Sequence, residues 1–93
     1  MIRSFGDKQT EKVYQGERSR TLPPDIQSRA NMKLFRIDQA SQLEQLRLPP
    51  SNRLESLAGN LQGLWSIRIN QRWRIVFCWR DGDAYEVRIA DYH

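Results

Sequence analysis

Between residues 48 and 54 the apolar repeat of this chain changes period, and that change limits the fold more than any other feature. Upstream, Ile26, Ala30, Leu34, Ile37 and Ala40 follow one another at steps of four, four, three and three residues. Such a stripe predicts a helix over about 25–40, with Arg29, Lys33 and Arg36 on its flank. The run Leu48-Pro49-Pro50-Ser51-Asn52 then breaks the chain. Downstream, Trp65, Ile67 and Ile69 alternate with Ser66, Arg68 and Asn70, and Tyr85, Val87 and Ile89 alternate with Glu86 and Arg88. A period of two is that of a strand with one buried face. A chain that is helical first and extended later predicts an α+β domain, its N-terminal helices packed on one face of a mainly antiparallel C-terminal sheet.

The remaining segments fit this layout. Ile2-Arg3-Ser4-Phe5 alternates and suits a short edge strand. Asp7 is placed to cap a short helix over 8–15, with Val13 and Tyr14 inward and Gly16 as its stop. Residues 17–24 are polar, end in two prolines, and read as an exposed loop open to proteolysis. Pro24 suits the first turn of the second helix. Ser41 begins a further short turn with Leu43 and Leu46 inward. Leu54 and Leu57 suggest a short strand ended by Gly59-Asn60. Trp73 to Arg80 is apolar on nearly both sides and reads as the central strand. Asp81-Gly82 marks a tight hairpin. The packed face would take Trp65, Ile67, Ile69, Tyr85, Val87 and Ile89. Arg68, Arg74, Arg80 and Arg88 would then share the opposite face.

Composition narrows what such a domain can do. Ninety-three residues suit a single domain spanning 1–93. No apolar run approaches the roughly 20 residues of a membrane span, and no apolar segment follows Met1-Ile2-Arg3-Ser4. The expectation is a soluble, cytoplasmic chain that neither enters a membrane nor is secreted. Cys78 is the one cysteine and His93 the one histidine, which argues against an internal disulfide and against thiolate or multi-histidine metal sites. Neither a metal nor a cofactor is expected.

Charge supplies the positive clue. The net charge is +4, and arginine provides twelve of the fifteen bases. Arginine's planar fork matches phosphate better than lysine's point charge does. Residues 47–80 carry Arg47, Arg53, Arg68, Arg72, Arg74 and Arg80 against Glu55 alone, whereas residues 81–93 carry Asp81, Asp83, Glu86 and Asp91 against Arg88. Guanidiniums gathered on one open sheet face point to nucleic acid. The competing reading pairs them across strands with Glu86, Asp81 or Asp83.

Several chemistries lack their parts. Cys78 and His93 form the one conceivable Cys–His pair, but a lone mid-strand cysteine is usually packing. No serine stands out for a triad, and there is no glycine-rich phosphate loop. RNA cleavage by the ribose 2′-oxygen needs less: removal of its proton, neutralisation of the crowded phosphorane and help for the departing 5′-oxygen. Arg74 and Arg68, on rigid strands, suit the second task. Asp91, Tyr92 and His93 can share the proton transfers, with base and acid not assigned.

The stretch from Pro49-Pro50-Ser51-Asn52-Arg53-Leu54-Glu55 through Gly59, Gly63, Trp65-Ser66-Ile67-Arg68-Ile69-Asn70, Trp73-Arg74-Ile75-Val76-Phe77 and Asp91-Tyr92-His93 resembles the HigB-type toxins. These plasmid maintenance killer proteins belong to the RelE superfamily of toxin–antitoxin systems. The opening Met1-Ile2-Arg3-Ser4-Phe5 fits as well, so the resemblance covers essentially the whole chain. It implies a RelE-like fold and a ribosome-dependent, metal-independent endoribonuclease that cuts mRNA during decoding. It also implies a HigA-type helix-turn-helix antitoxin, with operator DNA reached indirectly through the toxin–antitoxin complex. Family active-site positions fall on Arg74, Asp91, Tyr92 and His93, and candidate RNA-binding positions on Arg68, Arg80 and Arg53. Glu55 stands where some relatives carry histidine, and Ala58 where some carry lysine. Both changes remove candidate catalytic or phosphate-binding groups. A weakly active toxin serving mainly as co-repressor, and a non-catalytic RNA- or ribosome-binding module, are the alternatives.

Overall fold

The computed structural model describes residues 1–57 and 63–91. Two helices, α1 (Lys8–Tyr14) and α2 (Pro24–Gln39), precede two 3-10 turns, Leu43–Arg47 and Pro50–Asn52. Four strands follow: β1 (Glu55–Ser56), β2 (Leu64–Arg68), β3 (Trp73–Arg80) and β4 (Asp83–Asp91). They form one sheet in the order β1-β2-β3-β4, and all three pairings are antiparallel. The α+β architecture expected from the period change is the one found, with β3 inside the sheet. Among the described residues no helix is long and apolar enough to cross a membrane.

The helical stripe does what its spacing dictates. Ile26, Ala30, Leu34 and Ile37 of α2 are buried and pack with Ile67, Ile75, Phe77, Val87 and Ile89 of the sheet. Removing large apolar side chains from water is worth about 1.5–3 kcal/mol each, so this layer holds helix to sheet. Asp7 caps α1 by accepting from the Thr10 amide at 2.7 Å. Asp7→Ala should cost about 1 kcal/mol and lower the melting temperature by about 4–8 °C in a thermal scan, since that amide then lacks its acceptor.

The first residues cover the β4 edge. Ile2 and Phe5 bridge Ala84 and Val87 in parallel sense, with Arg3 N donating to Ala84 O at 2.7 Å and Gly6 N to Val87 O at 2.8 Å. The approach is close: a Cβ on Gly6 would lie 3.1 Å from Glu86 O and 3.2 Å from Arg88 Cβ. Arg3 also donates to Asp83 at 3.1 Å and holds that carboxyl below the usual carboxylate range. A lowered folded value stabilises above the ordinary pKa of 3.8 and loses that stabilisation as pH falls through the lowered one. Asp83→Asn should therefore flatten the acid limb of the stability curve measured by urea unfolding.

Three expectations need correction. Tyr85 does not face the helices. Cys78 pairs with Tyr85 but Val76 pairs with Arg88, so Phe77 stands opposite both Glu86 and Val87. Glu86 takes φ +53°, a bulge that resets the alternation. Ala84 and Val87 point into the core, and Tyr85 turns to the other face. The loop after α1 is not a loose polar tip. Ser19 is buried, its amide donates to Gln27 Oε1 at 3.0 Å, and Gln27 Nε2 donates to the carbonyls of Ser19 and Leu22 at 2.9 Å. Lys33 is not a solvated flank residue either: it is buried and donates to Asn52 Oδ1. The Asp81-Gly82 turn is as expected, with φ values of +52° and +82° between paired Arg80 and Asp83. The Gly59-Asn60 stop and Ala58 lie outside the described residues.

Candidate functional site

Sheet register builds the site. Arg68 pairs with Arg74, Ser66 with Val76, and Arg74 with Ala90. Directly paired antiparallel residues share a face, so Ser66, Arg68 and Arg74 stand together on the side away from the helices. This is the face read from the alternation of β2 and β3.

Arg74 is held rather than solvated. It is buried, with 8% of its surface exposed. Its Nε donates to Ser66 Oγ at 2.9 Å, and Nη2 donates to Arg53 O at 2.7 Å. Glu55 Oε2 lies 3.9 Å from Nη2. Two of the five N–H donors of the guanidinium thus fix its plane on protein atoms. The Arg53 carbonyl is aimed by the segment before it. Arg53 adopts φ +46°, and its amide donates to Pro50 O at 3.1 Å. Buried Asn52 anchors that segment through Nδ2 bonds to Leu46 O and Leu48 O, both 3.2 Å. The Pro49-Pro50-Ser51-Asn52 break is therefore the scaffold that orients Arg74.

Arg68 and Arg53 join Arg74. Arg68 Nε donates to Asn70 O at 3.0 Å, and the exposed Arg53 side chain stands at the border of the same face. Arg80 does not join them. It lies six residues along β3, roughly 20 Å away by strand rise, and its guanidinium stacks 4.3 Å above the Tyr85 ring. The cross-strand alternative fails for Asp83, which Arg3 takes.

Asp91 pairs with Trp73, one position out of phase with Arg74. Its carboxylate receives Arg72 Nε at 3.0 Å and Nη2 at 2.8 Å, a bidentate pair that raises the Arg72 pKa. The end of β4 is thereby fastened beside Arg74. Tyr92 and His93 lie outside the described residues. Sequence reading missed Ser66 and the Arg53 carbonyl as the groups that hold Arg74. Ser66 could have been found from its parity with Arg68; the carbonyl had no sequence signal. Among the described residues no group of three or more His, Cys, Asp or Glu side chains could hold a metal.

With this geometry defined, comparison with known proteins decides the family. Residues 3–93 match the family model for the RelE-like toxin of the type II toxin–antitoxin system HigB. The chain belongs to the HigB-like toxins. This HigB-like chain is 42% identical over 85 residues to Toxin HigB-1 of Vibrio cholerae serotype O1, covering 90% of each. It is 33% identical over 93 residues to Endoribonuclease HigB of Proteus vulgaris, covering 100% of each. Its fold is that of YoeB in a YoeB–YefM complex from Staphylococcus aureus, with a TM-score of 0.62 at 22% identity over 100% of this chain and 98% of that one. Escherichia coli YafQ is similar with a TM-score of 0.57 at 13% identity, over 98% and 93%. The RelE-like architecture expected of this HigB-like toxin is the one these structures share.

Proposed function

We propose that residues 1–93 act as a single HigB-like toxin domain, an endoribonuclease that cuts messenger RNA on the ribosome. The reading is supported above all by Arg74, a guanidinium set on an open sheet face and locked in plane by Ser66 Oγ and Arg53 O. The relative from Proteus vulgaris named an endoribonuclease supports the reaction class. In the step proposed, the ribose 2′-oxygen bonds to the adjacent phosphorus and the bond from phosphorus to the 5′-oxygen breaks. The 2′-hydroxyl proton passes to a base, and an acid protonates the departing 5′-oxygen. The products are a 2′,3′-cyclic phosphate and a 5′-hydroxyl.

Arg74 stabilises the dianionic phosphorane, where preorganised donors matter most because they need not reorient during reaction. Arg68 and Arg53 bind the flanking phosphates, and Arg80 meets the RNA farther along the face. Tyr92 and His93 share the proton transfers. Asp91, expected to join them, instead stands on the other face opposite Trp73, and its pair with Arg72 keeps that end of β4 beside Arg74. No metal or cofactor takes part, and the reaction runs in the cytoplasm. The cognate partner is a HigA-type helix-turn-helix antitoxin that silences the toxin and carries it to operator DNA. The YoeB–YefM toxin–antitoxin assembly offers a parallel for such pairing on the same fold.

Controlled expression of the chain, with and without its antitoxin, followed by mapping of mRNA 5′ ends, tests this. Cuts inside translated frames that vanish with the antitoxin are expected. Intact messages with arrested growth would favour a non-catalytic ribosome binder instead.

A further inference from the structure

A second basic feature adjoins the sheet face. A groove of about 680 Å³ runs between α2, the Pro50–Asn52 turn and the β2–β3 connection. Its lining includes four cations, Arg29, Lys33, Arg53 and Arg68, and no Asp or Glu among the described lining residues. Arg53 and Arg68 belong also to the surroundings of Arg74. Arg29 and Lys33 come from the helix side and play no part in the reaction proposed above.

These two side chains are placed rather than loose. Arg29 Nη1 donates to Ile69 O at 3.1 Å, parallel in function to Arg68 Nε on Asn70 O. Adjacent carbonyls thus orient two guanidiniums along one wall. Lys33 is buried, and its ammonium donates to Asn52 Oδ1, itself fixed through Nδ2. Burial, then the charges of Arg29 and Arg36, lower the Lys33 pKa. Holding a desolvated ammonium near other cations is costly, and a bound anion offsets both the desolvation and the repulsion.

We propose that this groove is a second phosphate site, in which Arg29 and Lys33 hold a phosphodiester of RNA flanking the one at Arg74. Arg53 and Arg68 bridge the two positions, so one strand can run from the sheet face onto α2. The inference rests on the reading of the sheet face as an RNA site and names how far that site extends.

The test is a salt titration of binding to an uncleavable 2′-O-methyl RNA oligonucleotide, and separately to vacant ribosomes, between about 50 and 200 mM salt. For single-stranded RNA, each phosphate no longer neutralised by the protein reduces the slope of log affinity against log salt by about 0.7. Arg29→Gln should reduce it by about that much, and Arg29→Gln with Lys33→Gln by about twice as much. Arg29 is exposed, so its variant tests the idea even if replacing buried Lys33 perturbs folding. A drop against the oligonucleotide supports the proposal; a drop against vacant ribosomes alone overturns it, because the groove would then hold ribosomal RNA and not the strand that passes Arg74. Unchanged slopes in both titrations overturn the proposal, and do so most clearly if the variants instead weaken antitoxin binding. That failure is separate from failure of the endonuclease reading, which shows as absent cleavage by the unaltered chain.

Discussion

Arg74→Ala removes message cleavage: the single-turnover rate on programmed ribosomes should fall by about 10²- to 10³-fold, the usual cost of deleting one preorganised donor to a developing oxyanion. The loss should appear in the rate of the bound complex more than in ribosome affinity, because Arg68 and Arg53 remain. Arg74→Lys distinguishes charge from geometry. Lysine keeps the charge but cannot hold Ser66 Oγ and Arg53 O at once while facing phosphate, so most of the rate should stay lost. Both variants leave polar partners behind and should lower stability by about 1–3 kcal/mol, which a thermal melt separates from the catalytic effect. Equal rates for Arg74→Ala and the unaltered chain would contradict the assignment of Arg74.

Phe77→Ala carries the largest stability effect. Phe77 is fully buried at the middle of the inner strand, opposite the Glu86 bulge and edge-on to Trp79 with centroids 6.3 Å apart. Deleting such a ring costs about 3–5 kcal/mol, through lost transfer energy and the cavity left behind. Domains of this size hold only about 5–15 kcal/mol in total, so the melting temperature should drop by more than about 12 °C. Phe77→Leu, closer in volume, should cost less than about 1.5 kcal/mol. Similar melting temperatures for the alanine variant and the unaltered chain would mean that this strand does not carry the core.

Local signals made much of this legible. The 3.6-residue stripe gave α2 its buried face, Asp7 announced its cap, and Asp81-Gly82 its turn. Strict alternation through β2 and β3 is enough to place Arg68 and Arg74 on one face. Features set by distant parts of the chain were not legible. Glu86 adopts a left-handed conformation more usual for glycine or asparagine, so the bulge leaves no mark in the sequence, and alternation alone puts Tyr85 on the wrong side. Arg53 is left-handed for a comparable tertiary reason: its carbonyl serves Arg74, 21 positions away. Lys33 reads as a solvated flank until the Pro50–Asn52 turn packs over it with Asn52. The resemblance to HigB-type toxins placed the chain in a family that the comparison then showed.

The decisive measurement replaces the ribose at one mapped cut site with 2′-deoxyribose and follows cleavage of that message on ribosomes. Attack by the 2′-oxygen predicts that this one cut disappears while binding persists, and that cuts in the unmodified message end in a 2′,3′-cyclic phosphate. Cleavage at an unchanged rate beside the deoxyribose would mean that another nucleophile acts and that the chemistry assigned to the Arg74 face is wrong.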